Sequence, residues 1–301
     1  AAAVRVEHGP FAEDFVTFLN RRPEHNEYVL GAHKEYGPSG SFGGRTSKDQ
    51  KTSRQPVLFV HGNSDSALHH SDLATGWTKS VEHFKEKGYT SAELYGLTYG
   101  SRDINLSLQS SITCRNLLGL RRFIEAIVEY TESDKIDVVA HSMGVTMARK
   151  AINGGVVTLS GESCDLGESL SDRVDSLVAI SGANYGMCMC LMAGLTGMPA
   201  CGQAGFAPGR CGRKDAGMAG CVGENAECED LNVEIKCMIN ISFAVLDPFL
   251  NTSVLADDAI LGKNNLVWGR KTSIVPDSDF SHGYNGLDHF QVHPSTILNK
   301  I

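Results

Sequence analysis

Short apolar runs alternate with segments of helical periodicity between residues 56 and 180, and this alternation restricts the fold more than any other feature. The apolar runs cover residues 56–60, 92–99, 136–140 and 177–180. Between them, apolar side chains recur every three or four residues, as in half-buried helices. Strands that alternate with amphipathic helices predict right-handed βαβ units and a mostly parallel sheet flanked by helices. We therefore expect a single α/β domain over residues 1–301.

Two regions depart from this pattern. Residues 1–54 are polar and turn-rich, which predicts a surface wrap with one short helix near residues 11–19. Residues 186–221 hold nine glycines, five cysteines and five methionines without usable periodicity. They form most of a Cys-rich insertion, residues 186–236, that follows the fourth predicted strand. Because parallel strands end on the face where active-site loops gather, we predict a disulfide-braced cap; a surface flap remote from that face is the alternative.

The nine cysteines indicate the compartment in which the chain works. Eight of them lie between Cys164 and Cys237, one quarter of the chain, which predicts a local disulfide framework in an oxidising compartment. Zinc is the less favoured alternative, because the closest pair, Cys188 and Cys190, lacks the usual C-x-x-C spacing. The odd count leaves one thiol over, most simply Cys114. The sequence therefore favours a secreted protein.

Other features of the composition agree with secretion. Three sequons, at Asn105, Asn240 and Asn251, predict a glycoprotein. The first residues carry neither a charged n-region nor an apolar h-region, so we expect an already processed start. A formal charge of −8, from 27 Lys and Arg against 35 Asp and Glu, argues against a nucleic-acid partner. No stretch approaches the roughly 18 apolar residues of a membrane helix, so we expect a soluble globular chain.

The pentapeptide Ala140-His141-Ser142-Met143-Gly144 lies between the third apolar run and a helix-compatible segment. This is the setting of a nucleophile elbow, in which a strand turns at once into a helix and forces the serine into a strained conformation. Small residues must then stand two positions before and after the serine, as Ala140 and Gly144 do. The turn also directs the N–H groups of the helix N-terminus at the serine, where they can bind an oxyanion. An ordinary turn with a surface serine is the alternative.

His61-Gly62-Asn63 closes the first apolar run. In an α/β architecture with such an elbow, the loop after this strand donates the second N–H group of an oxyanion hole. We therefore predict the backbone N–H groups of Asn63 and Met143 as the oxyanion donors. An ordinary turn that uses Gly62 is the alternative.

The two motifs together carry a resemblance to a known family. The segment Val57-Leu-Phe-Val-His-Gly-Asn63, taken with residues 140–144, resembles the small secreted lipases related to the Bacillus subtilis lipase, the class 2 lipases. Residues 63–67 and 145–147 are also similar to an extracellular bacterial polyhydroxybutyrate depolymerase. The cysteine insertion, with residues 9–15 and 182–186, looks most like secreted lipase-related proteins of nematodes. The resemblance is strongest over residues 56–186 and implies an α/β-hydrolase fold, ester hydrolysis and no cofactor.

The family fold places the serine first, then an acid, then a histidine. Three late histidines are candidates for the base: His282, His289 and His293. The segment Gly286-Leu-Asp-His289 is similar to the G-x-x-H element of the family, so we predict His289; a solvated loop histidine is the alternative. For the acid, residues 256–258 resemble the acid loop after the seventh strand of the family.

That loop offers Asp257 as the best match for the triad acid. Its neighbour Asp258 remains an alternative. Asp247 is a rival, because it also ends a strand-like run. We do not expect a metal site at His69, His70 and Asp72, because adjacent histidines rarely converge on one ion and Asp72 can serve as a helix cap. His141 is expected in the packing of the elbow.

The sequence thus predicts a secreted serine ester hydrolase, a triacylglycerol or carboxylester lipase engaged in lipid degradation. The catalytic set is Ser142, Asp257 and His289, with oxyanion donors at Asn63 and Met143, no metal and no cofactor. The partners are a lipid or other ester substrate and, transiently, a lipid surface, with no obligatory protein partner. A polyester or short-chain esterase shares this machinery, and a non-catalytic lipid-binding relative is the alternative from another class.

Overall fold

The computed structural model describes residues 8–72, 74–159, 161–180 and 197–202, together with the strand backbone of 240–243 and 280–281. The predicted strands and helices between residues 56 and 180 therefore lie within the described part of the chain. The candidate acids and bases do not, and neither does the insertion apart from residues 197–202. The undescribed candidates are Asp247, Asp257, Asp258, His282, His289 and His293.

Five helices and nine strands form the described part of the chain. The helices are α1 (Glu13–Asn20), α2 (Pro23–Glu35), α3 (Thr78–Glu86), α4 (Cys114–Thr131) and α5 (Met143–Asn153). The strands are β1 (Ser41–Phe42), β2 (Val57–Val60), β3 (Leu94–Leu97), β4 (Ile136–His141), β5 (Val156–Leu159), β6 (Glu162–Asp165), β7 (Val174–Ile180), β8 (Asn240–Phe243) and β9 (Phe280–Ser281). A 3-10 helix spans Ile104–Gln109. All four strands predicted between residues 56 and 180 are confirmed as β2, β3, β4 and β7.

Seven of these strands form one sheet in the order β1-β3-β2-β4-β7-β8-β9. Every neighbouring pair is parallel except β1 with β3, which is antiparallel. Parallel strands with intervening helices place all their carboxyl ends on one edge of the sheet. The predicted α/β class with a mostly parallel sheet is confirmed. Strands β5 and β6 form a separate antiparallel hairpin that the sequence pattern did not predict.

Alternate side chains of the central strands point to two apolar layers. On one face, Leu58 and Val60 of β2 pack with the helices α1, α2, α4 and α5. On the other face, Phe59 packs against Trp77 and Phe84, beside and within α3. This two-sided burial follows from the strand period of two and explains why β2 is apolar at every position. No described helix is long and apolar enough to span a bilayer.

The expectation that residues 1–54 form a surface wrap with one helix is wrong. Two helices form here, and α1 places Phe15 and Leu19 in the main core with no exposed surface. Helix α2 adds Val29 and Leu30 to the same core. The apolar positions of α2 are few and its polar residues many, so helical periodicity alone did not reveal it. Gly43 and Gly44, directly after β1, both have positive φ, a conformation that glycine adopts readily.

The assignment of Cys114 as the unpaired thiol is also wrong. Cys114 forms a disulfide with Cys164, 50 residues away, and so joins the start of α4 to β6. Cys201 is disulfide-bonded as well. The framework therefore extends beyond the Cys-rich segment. A spacing argument could not predict this pair, because it depends on how the unpredicted hairpin packs against α4.

Removal of the Cys114–Cys164 bridge should lower the free energy of unfolding. In the chain-entropy model a crosslink that closes a loop of about 50 residues stabilises by about 3 to 4 kcal/mol. The double variant Cys114→Ala, Cys164→Ala should accordingly show that loss in urea unfolding followed by circular dichroism. An unchanged midpoint with an unchanged denaturant slope would contradict it.

Candidate active site

Ser142 is the single residue between β4, which ends at His141, and α5, which begins at Met143. Its backbone has φ 54° and ψ −124°, a conformation that non-glycine residues rarely adopt. Such a residue costs of order 1–3 kcal/mol and persists only where its surroundings enforce it. Here the Ser142 N–H donates to the Ile180 carbonyl at 2.9 Å, which ties the turn to the end of β7. The strand–serine–helix geometry predicted for residues 140–144 is present.

Gly62 and Gly144 lie beside Ser142 at positions where a larger side chain would clash with neighbouring atoms. A Cβ atom on Gly144 would lie 2.4 Å from the His61 carbonyl oxygen and 2.7 Å from that of Val60. A Cβ atom on Gly62 would lie 2.9 Å from Ser142 Cβ and 3.1 Å from His141 Nδ1. The loop after β2 and the first turn of α5 therefore touch through their backbones. Gly62 thus has a second role, close approach to the serine, that the sequence did not reveal.

The two predicted oxyanion donors come together. Asn63 and Met143 both line a cavity of about 300 Å³ at the carboxyl edge of the sheet. Met143 is the first residue of α5, so its N–H group belongs to the turn that has no intrahelical acceptor. The Asn63 side chain is engaged elsewhere, since its Nδ2 donates to the Ser107 carbonyl at 2.9 Å. That hydrogen bond fixes the Asn63 side chain against the 3-10 helix. The backbone N–H of Asn63 is therefore the group that we consider for oxyanion binding.

A histidine–tyrosine pair, in which His61 is buried and Tyr99 half-buried, supports this loop. The rings of His61 and Tyr99 stack with centroids 4.1 Å apart. The Tyr99 N–H donates to His61 Nε2 at 3.0 Å, so His61 carries its proton on Nδ1 and donates it to the Gly62 carbonyl at 2.7 Å. The Tyr99 hydroxyl donates to the His61 carbonyl at 2.5 Å. Burial lowers the pKa of His61 to about 4, so the ring is neutral at pH 7.

His61 therefore serves as a neutral support for the loop that carries Asn63. Tyr99 reinforces it from the end of β3, and no spacing in the sequence signals this role. Burial also raises the pKa of the Tyr99 hydroxyl, which remains a hydrogen-bond donor at all ordinary pH values. His141, 4% exposed, packs within the elbow as predicted.

Asp65 is a second buried group in the same loop. Its Oδ1 accepts from the Ser66 N–H at 2.8 Å and from the Gly76 N–H at 2.9 Å, so it joins the loop after β2 to the approach to α3. Burial raises the pKa of Asp65 from 3.8 to about 6, and these two hydrogen bonds only partly oppose that shift. The carboxyl group is thus kept partly protonated in mildly acidic solution.

Asp65→Asn should change how stability depends on pH. The folded protein holds the Asp65 proton more tightly than the unfolded chain, so this residue lowers stability as the pH rises from about 4 to about 6. His61 has the opposite effect over a similar range, since its folded pKa is lowered. An asparagine Oδ1 can accept both backbone bonds without titrating. The free energy of unfolding of the variant, minus that of the wild type, should rise by about 2 kcal/mol between about pH 4 and about pH 7.

Urea unfolding of both proteins at the two pH values measures this difference. A difference that stays constant with pH would contradict the burial of Asp65 as an ionisable group.

Other candidate groups are placed as follows. His69, His70 and Asp72 are all exposed in the loop before α3. Within the described ranges, the His, Asp and Glu ligand atoms close enough to share an ion belong to Glu24, His25 and Glu129. There Arg22 Nε already donates to Glu129 Oε1 at 2.6 Å, so the Arg22 guanidinium takes the place that a metal cation would occupy.

The parallel sheet, its crossover helices and the strained serine after a central strand define an α/β hydrolase. A family model described as lipase (class 2) matches residues 54–301, so the chain belongs to the class 2 lipase family. Helices α1 and α2 lie before the matched region.

Solved structures that are similar to this chain include lipase B from Aspergillus fumigatus, 15% identical, with 75% of this chain and 47% of that chain covered at a TM-score of 0.41. A bifunctional GH43-CE protein from Bacteroides eggerthii is 14% identical, with 83% of this chain and 33% of that chain covered and a TM-score of 0.45. The chain thus spans less than half the length of either. A comparison with curated proteins finds no match.

Proposed function

We propose that this protein is a secreted serine ester hydrolase that acts on triacylglycerols or other carboxylic esters, with Ser142 as its nucleophile. The observation that carries the proposal is the backbone of Ser142, held at φ 54° between β4 and α5. Strain of this kind occurs where function requires an exposed side chain at a fixed point. Asn63 and Met143, the proposed oxyanion donors, line one cavity beside it.

The proposed reaction is acyl transfer in two steps. His289 takes the proton of the Ser142 hydroxyl as its oxygen bonds to the ester carbonyl carbon, and the carbonyl oxygen becomes an oxyanion. The N–H groups of Asn63 and Met143 stabilise this oxyanion by roughly 3 to 4 kcal/mol each. Collapse expels the alcohol, which takes the proton from His289, and leaves an acyl group on Ser142. Water, activated by His289, then releases the carboxylic acid and restores the serine.

Asp257 is proposed to hold the His289 imidazole in the orientation that accepts this proton. The support is the chain order serine, acid, histidine and the similarity of residues 256–258 to the acid loop of the family. We expect Asp257→Asn to lower kcat by about 10⁴, since a misoriented imidazole cannot act as base. Asp247→Asn and Asp258→Asn are the matched controls and should retain most of the activity. A loss of that size in either control, with Asp257→Asn active, would reassign the acid.

A substrate panel tests the function itself. The purified protein should hydrolyse p-nitrophenyl esters, and base titration should detect fatty acid released from an emulsified triacylglycerol. Hydrolysis of the soluble short esters alone would identify an esterase. Binding of fatty acid without hydrolysis of any ester would favour the non-catalytic relative and overturn the proposal.

Secretion and a cap over the site are parts of the same proposal. The Cys114–Cys164 disulfide and the disulfide-bonded Cys201 support an oxidising compartment. For the cap, the supporting contact is between Gln109 Nε2 and Met198 Sδ at 3.7 Å, because Gln109 lines the cavity that holds Asn63. If the insertion covers this cavity, mild reduction should alter chain-length preference before it abolishes hydrolysis of small esters.

A further inference from the structure

A second cavity adjoins the one beside Ser142. It has a volume of about 370 Å³ and lies between α2, α4 and the carboxyl ends of β2 and β3. We call it the inner cavity, and the one that holds Asn63 and Met143 the site cavity. The inner cavity is lined mainly by Tyr28, Gly31, Glu35, Leu58, Val60, Tyr99, Arg115, Gly119, Leu120 and Phe123.

The two cavities share a boundary. Tyr99, Gly100 and Asn116 line both of them. Gly100 brings no side chain to this boundary, and no atom of the described residues lies within 4 Å of the position that a Cβ atom would take there. Of these three boundary residues, Gly100 is the one without a side chain that could separate the two cavities.

The lining of the inner cavity is ordered from apolar to charged. Its buried wall includes Leu58, Val60 and Phe123, each no more than 2% exposed, together with the buried Thr98. Its charged members, Glu35 and Arg115, are exposed and stand at the rim. A hydrocarbon chain buried along such a wall loses contact with water without desolvating a charge. The lining thus suits an apolar chain.

Two glycines keep the space between the helices open. Gly31 of α2 and Gly119 of α4 both line the inner cavity. Among the parts of the chain that the structure describes, a Cβ atom on Gly119 would meet no atom closer than 4.0 Å, and one on Gly31 would approach only Arg115 Nη2, at 3.7 Å. Neither glycine has a positive φ, so neither is required by the backbone. One of these walls, α2, lies outside the region matched by the family model.

We propose that the inner cavity binds the acyl chain of the ester substrate, so that α2 helps to set chain-length preference. This inference rests on the proposed function, because it assumes that an acyl group is attached at Ser142. Each cavity is at the lower end of the size range of small-molecule sites, so together they accommodate one chain of medium length. The carbonyl end occupies the site cavity and the methylene chain runs past Gly100 into the inner cavity.

The test fills the inner cavity from each side with a leucine. Gly119→Leu and Gly31→Leu, with Lys34→Leu on the exposed face of α2 as matched control, are assayed with p-nitrophenyl acetate, butanoate, octanoate and decanoate. Relative to Lys34→Leu, the glycine variants should lose at least about tenfold in kcat/KM for the octanoate and decanoate esters while still hydrolysing the acetate ester. A chain-length profile parallel to that of the control in both glycine variants would overturn the proposal.

A binding measurement separates this inference from the proposed function. Calorimetric titration with decanoate, in the Ser142→Ala background, requires no turnover. Binding that is lost in the glycine variants and kept in Lys34→Leu supports the acyl cavity even if the wild type hydrolyses no ester, in which case only the proposed function fails. Decanoate binding equal in all variants would overturn the acyl cavity even in an active esterase. Because the leucines enter from different helices, misfolding of one variant leaves the other to decide.

Discussion

Ser142→Ala is expected to abolish ester hydrolysis, with kcat at least about 10⁴-fold below that of the wild type. The physical reason is that no other group at the β4–α5 turn is placed to form the acyl intermediate. The fold should persist, since alanine adds no atom to the contacts of Ser142 with Gly62 and the turn is held by the backbone bond to Ile180. Steady-state hydrolysis of p-nitrophenyl butanoate measures the loss, and circular dichroism verifies the fold.

Ser133→Ala is the matched control for this variant. Ser133 precedes β4, at the opposite end of the strand from Ser142. Its replacement should leave hydrolysis at the wild-type rate. Wild-type turnover by Ser142→Ala, or an equal loss in both variants, would contradict the role given to Ser142.

Gly144→Ala should destabilise the protein by about 3 kcal/mol or more, at the upper end of the usual cost of overpacking. The added methyl group would lie 2.4 Å from the His61 carbonyl oxygen and 2.7 Å from the Val60 carbonyl oxygen. Both are backbone atoms of the central strand and its loop, so neither can turn aside. The first turn of α5 must move instead, which also displaces the Met143 N–H group from the site cavity. We therefore expect ester hydrolysis to fall with stability.

Gly119→Ala provides the comparison for stability. The same methyl group, added in α4, meets no atom of the described ranges closer than 4.0 Å. It should be neutral or stabilise by up to about 1 kcal/mol through helix propensity. Urea unfolding of the two variants measures the contrast. Equal midpoints would contradict the close backbone contact between α5 and the loop after β2.

The central strands and the elbow could be predicted because each depends on a local pattern. Residues 56–60 and 136–140 are short apolar runs, and both become strands of the parallel sheet. Ser142 and its flanking small residues are contiguous in sequence, so their geometry follows from one strand–helix junction. The prediction that Asn63 and Met143 lie close together followed from the general arrangement of such sheets. In the structure both residues line one cavity.

The features that the sequence did not predict depend on contacts between segments that are far apart in the chain. Helix α2 is polar over most of its length, and Val29 and Leu30 become core residues only through its packing against α4. The Cys114–Cys164 pair required the β5–β6 hairpin, which has no strong local signal. Tyr99 supports His61 by stacking and hydrogen bonding, although the two residues are 38 positions apart in the sequence. A single tyrosine near the end of a strand gives no sequence signal for such a contact.

A fluorophosphonate that reacts only with activated serines tests whether Ser142 is the nucleophile. We expect one adduct per chain, carried by Ser142 within the tryptic peptide of residues 136–149 and formed in step with the loss of ester hydrolysis. Ser142 is the single serine of that peptide, so mass spectrometry locates the adduct without ambiguity. Full inhibition with residues 136–149 unlabelled and the adduct on another serine would show that Ser142 is not the nucleophile. So would continued ester hydrolysis by a protein in which Ser142 is fully labelled.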